Sequence, residues 1–197
     1  MKKLISLCLA VLLLFGMMPM TTLAMETENQ SLQELKEQVK NNSIAVIRDA
    51  DGNVLDAMEV DVQVQQIRTN RSSDGIEYSI TCAARAKDND EFSDSDTRDG
   101  YIAILTMVCK DVFGTENQLI SVTTSFGSKN EDTDGRSVTY TSYDLYNNRI
   151  SKITEYPPDW AYTYTPVDFT GFTFTASASA RIKKTGHYFE LYVSTAG

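Results

Sequence analysis

From Ser43 onward, apolar residues recur at every second position, and this pattern persists to Ser194. Its cleanest statement is Met58, Val60, Val62 and Val64, which alternate with Glu59, Asp61, Gln63 and Gln65. A period of two fits an extended strand, because successive side chains of a strand point to opposite faces of its sheet. One apolar and one polar set describes an antiparallel strand with a wet face. Further runs of this kind are Ser43–Arg48, Ile76–Ala86, Tyr101–Val112, Leu119–Phe126, Ser137–Tyr146, Ile150–Tyr156, Trp160–Thr165, Gly171–Lys183 and Tyr188–Ser194. Polar, glycine-bearing segments such as Asp49-Ala50-Asp51-Gly52 and Asp132-Thr133-Asp134-Gly135 separate many of them. About nine short strands at such spacing predict an all-β, antiparallel β-sandwich, with a β-barrel as the alternative.

Two runs carry a cysteine each. Tyr78, Ile80, Cys82 and Ala84 share one face, as do Tyr101, Ala103, Leu105, Met107 and Cys109. Pairing the runs with Cys82 opposite Cys109 sets Ala84 against Met107 and encloses an acidic loop. In an oxidising compartment the two cysteines form one disulfide, worth about 3–4 kcal/mol through loop closure. Two reduced, buried thiols are the alternative.

The compartment follows from the first 24 residues. Lys2 and Lys3 precede an apolar run, Leu4–Met18, and Thr22-Leu23-Ala24 has the small residues of a cleavage site. This is the pattern of a signal peptide cleaved after Ala24, so the protein is expected to be secreted. The run is short for a membrane span, and no stable membrane insertion is expected. Residues 25–42 form a polar segment with a short helix, in which Ser31 and Glu34 make a capping box and Leu32, Leu35 and Val39 an apolar stripe. Residues 43–197 form a single sandwich domain. Without Lys2 and Lys3, 16 bases face 27 acids, a net charge of −11. Such a chain is repelled by nucleic acid.

Three constellations could carry chemistry. The loop between the cysteine runs holds Asp88, Asp90, Glu91, Asp94, Asp96 and Asp99. Oxygen ligands at this density suit Ca2+, with Asp88, Asp90, Asp94, Asp96 and Asp99 as the candidate metal ligands, although the spacing is not that of an EF-hand. A solvated loop tip explains the same residues. The second constellation is aromatic. Pro157-Pro158-Asp159 is read as the turn of a tight hairpin that places Tyr156, Trp160, Tyr162 and Tyr164 on one face, with Lys152 and Thr154 across from them. Turned outward, these rings form a platform for a sugar; turned inward, they belong to the core. Ser151, Ile153 and Glu155 then make the opposite, wet face.

The third is catalytic, and the pattern argues against it. His187 is the single histidine, which excludes a multi-histidine zinc site. No Gly-x-Ser-x-Gly segment offers a nucleophilic serine. Glu59 and Asp61 share a strand face, the minimum a glycosidase needs, but alternating acids are the usual content of a wet face. The sequence therefore reads as a secreted, non-enzymatic binding or interaction module that requires no cofactor. Its partner is an extracellular protein or a glycan. A carbohydrate-binding module is the first alternative and a carboxylate-pair glycosidase the second.

Overall fold

A computed structural model describes residues 20–69, 75–85, 101–111, 116–127, 133–183 and 185–195. The chain divides into two compact units, Met1–Glu34 and Leu35–Gly197. Helix α1, Met20–Asn41, starts in the first and ends in the second. It is longer than the capping box implies. Met20–Gln30 contains no glycine or proline to stop a helix, so Ser31 lies inside it rather than at its start. At the other end, Ser43 Oγ donates to the carbonyl of Val39 at 2.7 Å and the Asn42 amide donates to that of Gln38 at 3.2 Å. These bonds satisfy carbonyls that the last turn leaves open. Val39 is fully buried, and the Gln38 side chain donates to the carbonyl of Thr195.

Among the described residues eleven strands follow: β1 (Ile44–Arg48), β2 (Val54–Thr69), β3 (Ile76–Arg85), β4 (Tyr101–Asp111), β5 (Asn117–Phe126), β6 (Thr133–Tyr143), β7 (Arg149–Glu155), β8 (Ala161–Tyr164), β9 (Thr170–Gly171), β10 (Thr173–Ile182) and β11 (Tyr188–Ser194). Their order is β7-β6-β10-β11-β1-β2-β3-β4-β5-β8, with β9 also on β5, and every pairing is antiparallel. The sixteen-residue β2 is the corner: it pairs β1 through Met58 and β3 from Glu59 onward. The sheet curls there into a half-barrel, which gives two facing layers. One contains β7, β6, β10, β11 and β1, and the other β3, β4, β5, β8 and β9. The fold is the expected all-β antiparallel sandwich with an N-terminal helix.

The alternation determines which side chains fill the space between the layers. Met58, Val62, Ile80, Cys82, Leu105, Met107 and Cys109 are buried there, as their spacing predicts. From the facing layer come Phe174, Ala176, Ala178 and Ala180 of β10 with Phe189, Leu191 and Val193 of β11. Phe172, which falls between β9 and β10, is exposed. Outside, hydroxyls stitch neighbouring strands: Thr81 to Thr106 at 3.0 Å, Thr123 to Thr163 at 2.9 Å, and Ser137 to Ser179 at 2.7 Å.

The cysteines are not bridged; both are free and buried. Cys82 pairs with Leu105 and Cys109 with Tyr78, so the thiols are four residues out of step. Four residues of strand span about 13 Å, far beyond disulfide reach. The same offset sets Ala84 against Ala103 rather than Met107. Of the two alternatives, the structure has the buried thiols.

The tight hairpin is also absent. Among the described residues β7 pairs only with β6 and β8 only with β5, at opposite ends of the strand order. Pro157-Pro158-Asp159 therefore crosses from one layer's edge to the other's. The β6–β7 connection is the tight turn instead. Asp144 Oδ1 accepts from the amides of Tyr146 and Asn148, both at 2.8 Å, and Oδ2 from the Asn148 side chain at 2.9 Å. Asp49 makes the same set with Asp51 and Asn53 in the β1–β2 turn. Hydrogen bonds from Asn53 and Asn148 hold the two carboxyls below the usual aspartate range. Both oxygens of Asp49 are thus committed to the turn.

Candidate functional site

The open side of the half-barrel, where β7 and β8 end the sheet, holds the candidate site. β8 lies on β5 with Tyr164 opposite Val122 and Tyr162 opposite Thr124. Val122 and Thr124 are inner-face residues, at 0% and 1% exposure, so both tyrosines point between the layers. Their rings lie 4.8 Å apart at 46°. Tyr162 retains 40% exposure, and among the described residues no strand covers this edge. Trp160 is half-buried, and its carbonyl accepts from the Phe126 amide at 2.7 Å, which prolongs the β8 line. Tyr156 is 75% exposed on the crossing segment. The structure thus brings Tyr162 and Tyr164 together and does not set Tyr156 on a shared hairpin face.

Across the opening, Ser151, Ile153 and Glu155 face inward, opposite Ser142, Tyr140 and Val138 of β6. The hairpin pattern instead predicts them on the wet face, with Lys152 and Thr154 beside the aromatics. That assignment counted positions around a hairpin, and a crossing between layers breaks the count. Lys152 and Thr154 are exposed, and Thr154 bonds Thr139 at 2.9 Å on the outer surface. Beneath the opening, Tyr140 packs edge-on to Phe169 at 5.2 Å, and Phe169 on Phe174 at 6.3 Å.

Two hydroxyls here are unusual. Thr124 Oγ1 and the Tyr164 hydroxyl are buried with no hydrogen-bond partner among the described residues. Burial, then the nearby Glu155 carboxylate, then Tyr162 and Tyr140 push the Tyr164 phenol up to about 12. Burial and Glu155 raise Tyr140 as well. These phenols stay neutral at ordinary pH and can donate. The site thus combines partly exposed aromatic surface, neutral hydroxyls and one carboxylate. Such a set can hold a polar molecule through stacking and hydrogen bonds.

Sequence reasoning missed Thr124, Tyr140 and Glu155. Thr124 had a legible signal, as a polar residue among the inner positions Leu119, Val122 and Phe126 of β5. A buried hydroxyl without a partner costs about 1–3 kcal/mol. Thr124→Val, which keeps the shape, is therefore expected to raise stability by about 1 kcal/mol in chemical denaturation. A fall in stability would mean that the hydroxyl is satisfied in the free protein.

The candidate calcium ligands Asp88, Asp90, Asp94, Asp96 and Asp99 lie outside the described residues. Among the described residues, no three His, Cys, Asp or Glu side chains form a metal-binding group, and no helix is long and apolar enough to cross a membrane. Glu59 is exposed and Asp61 half-buried, with Asp61 paired to Ala83 on the outer face of β2. No family model matches the chain, nor does any curated protein or solved structure.

Proposed function

We propose that the protein is a secreted, non-enzymatic binding module, and that the open edge between β7 and β8 takes a neutral glycan. The observation that carries this is the unpartnered Thr124 and Tyr164 hydroxyls lying inside an edge lined by Tyr162 and Glu155. A sugar ring offers an apolar face to tyrosine and hydroxyls that both donate and accept. It can supply what these buried groups lack, and Glu155 can accept from it. The net charge of −11 without the first 24 residues opposes polyanions and leaves neutral saccharides favoured. The signal-like first 24 residues support this reading, because secretion would bring the protein to such polymers.

Trp160 is the only tryptophan, so its emission reports on this edge alone. Titration with neutral oligosaccharides is expected to change that emission saturably, with a dissociation constant on the order of 0.1 mM. A panel of neutral hexose and N-acetylhexosamine oligomers that leaves both the emission and the amide spectrum unmoved at 10-fold higher concentration, about 1 mM, would remove the glycan from this site.

A further inference from the structure

The opening between β7 and β8 carries a charge that a neutral ligand does not answer. From Ile153 to Ala180 the chain contains no lysine, arginine or histidine, but it contains three acids, Glu155, Asp159 and Asp168. Glu155 is half-buried at the end of β7, on the inner face opposite Val138. Among the described residues its carboxylate makes no hydrogen bond and no ion pair. The strand on the other side of the opening, β5, holds no charged residue. After burial itself, this carboxylate is the largest influence on both the Tyr164 and the Tyr140 phenol, and no base acts on either. A half-buried charge without a counterion is costly, and a cation that joins it relieves the cost. The rings beside it strengthen that attraction. Tyr162 and Tyr164 lie 4.8 Å apart, and the face of an aromatic ring draws an ammonium within about 6 Å of its centre.

We propose that the favoured glycan bears a free amine on its otherwise uncharged chain, as 2-amino-2-deoxyhexose units do, and that Glu155 with Tyr162 and Tyr164 is the subsite for this ammonium. The proposal rests on the glycan binding inferred for this edge and narrows it to one class. The Thr124 and Tyr164 hydroxyls serve any saccharide alike, whereas Glu155 distinguishes an amine from its acetylated, uncharged form. A saccharide suits the site better than a basic peptide. The two buried hydroxyls without partners call for a ligand with several hydroxyls beside its cation, and a lysine side chain brings none. The chain as a whole favours the encounter, since its excess of acids over bases attracts cations.

Two tetramers of one linkage, N-acetylglucosamine and glucosamine, test this by Trp160 emission at low salt and about pH 6, where the amine is protonated. The amine tetramer is expected to bind about 10-fold more tightly than the acetylated one. Salt at about 0.5 M is expected to shrink that ratio several-fold. Glu155→Gln keeps the size of the side chain and is expected to bring the ratio to about 1, whatever it does to the acetylated tetramer. Asp159→Asn removes an equal charge from the exposed crossing segment and is expected to leave most of the ratio in place. If both tetramers bind alike, the amine subsite falls and the glycan site stands; if neither binds, both fall. A ratio that survives Glu155→Gln, or that Asp159→Asn lowers as far, overturns the proposal. So does a lysine tetrapeptide bound as tightly as the glucosamine tetramer.

Discussion

Replacing Phe174 by alanine is expected to destabilise the protein by about 3–5 kcal/mol, a large part of the total stability of a domain this size. The ring is 1% exposed and stands against Phe169, which in turn meets Tyr140. The cavity has little chance to collapse. Ala176, Ala178 and Ala180 follow on the same face of β10, and none can reach into the space. The backbone at Phe174 is fixed too: its amide donates to Thr195 Oγ1 at 2.8 Å, and its carbonyl accepts from the Thr195 amide at 2.9 Å. Urea denaturation measures the loss. Phe174→Leu is expected to lose clearly less, because it leaves a smaller void. A loss below about 1 kcal/mol for the alanine variant would contradict the packing between the layers.

The second large effect is alkaline. Burial pushes the Cys82 thiol up to about 11, opposed by a hydrogen bond with Ser43, and the Cys109 thiol up to about 12. In the unfolded chain both lose their protons near pH 9, while the folded chain keeps them. Above pH 9 the unfolded state therefore binds fewer protons than the native one, and stability falls as pH rises. The fall is about 1.4 kcal/mol per pH unit for each thiol until its folded value is reached, and these two groups contribute nothing below pH 9. Burial, then Cys109 and Asp111, raise the Tyr78 phenol as well, which extends the loss above pH 10. Melting curves between pH 8 and pH 11 are expected to turn down steeply near pH 9, with or without reductant. In Cys82→Ala/Cys109→Ala the loss between pH 9 and 10 is expected to shrink by about 2 kcal/mol, whatever the variant's absolute stability. An unchanged slope would show the thiols to be solvated or already bridged.

Both effects rest on faces that the sequence made legible. In β2, β3, β4 and β10 the alternation names the inner residues, and burial follows it from Met58 through Ala180. Offsets along a strand are a different matter. Sliding β4 by four residues past β3 keeps every side chain on its face, so alternation could not distinguish Cys82 opposite Cys109 from Cys82 opposite Leu105. Connectivity was hidden for a related reason. Pro157-Pro158-Asp159 interrupts a strand whether the chain returns beside β7 or crosses to β5, and only long-range pairing decides. The candidate site depends on that crossing. Tyr162 and Tyr164 could be named in advance, but Glu155, Tyr140 and Thr124 come from other strands and meet them only after the layers close. The turn at Asp144 was legible in principle, since Asp144 and Asn148 repeat the spacing of Asp49 and Asn53.

The open edge itself is best tested by comparing two tyrosines in one titration. Tyr162 lies at the edge, whereas Tyr146, 82% exposed, sits in the turn that precedes the far end of β7. With a neutral oligosaccharide that moves Trp160 emission, Tyr162→Ala is expected to weaken binding about 10-fold or more, which is about 1.4 kcal/mol, while Tyr146→Ala leaves it unchanged. Equal affinity for Tyr162→Ala and the unaltered protein, or a loss confined to Tyr146→Ala, would contradict a binding site between β7 and β8.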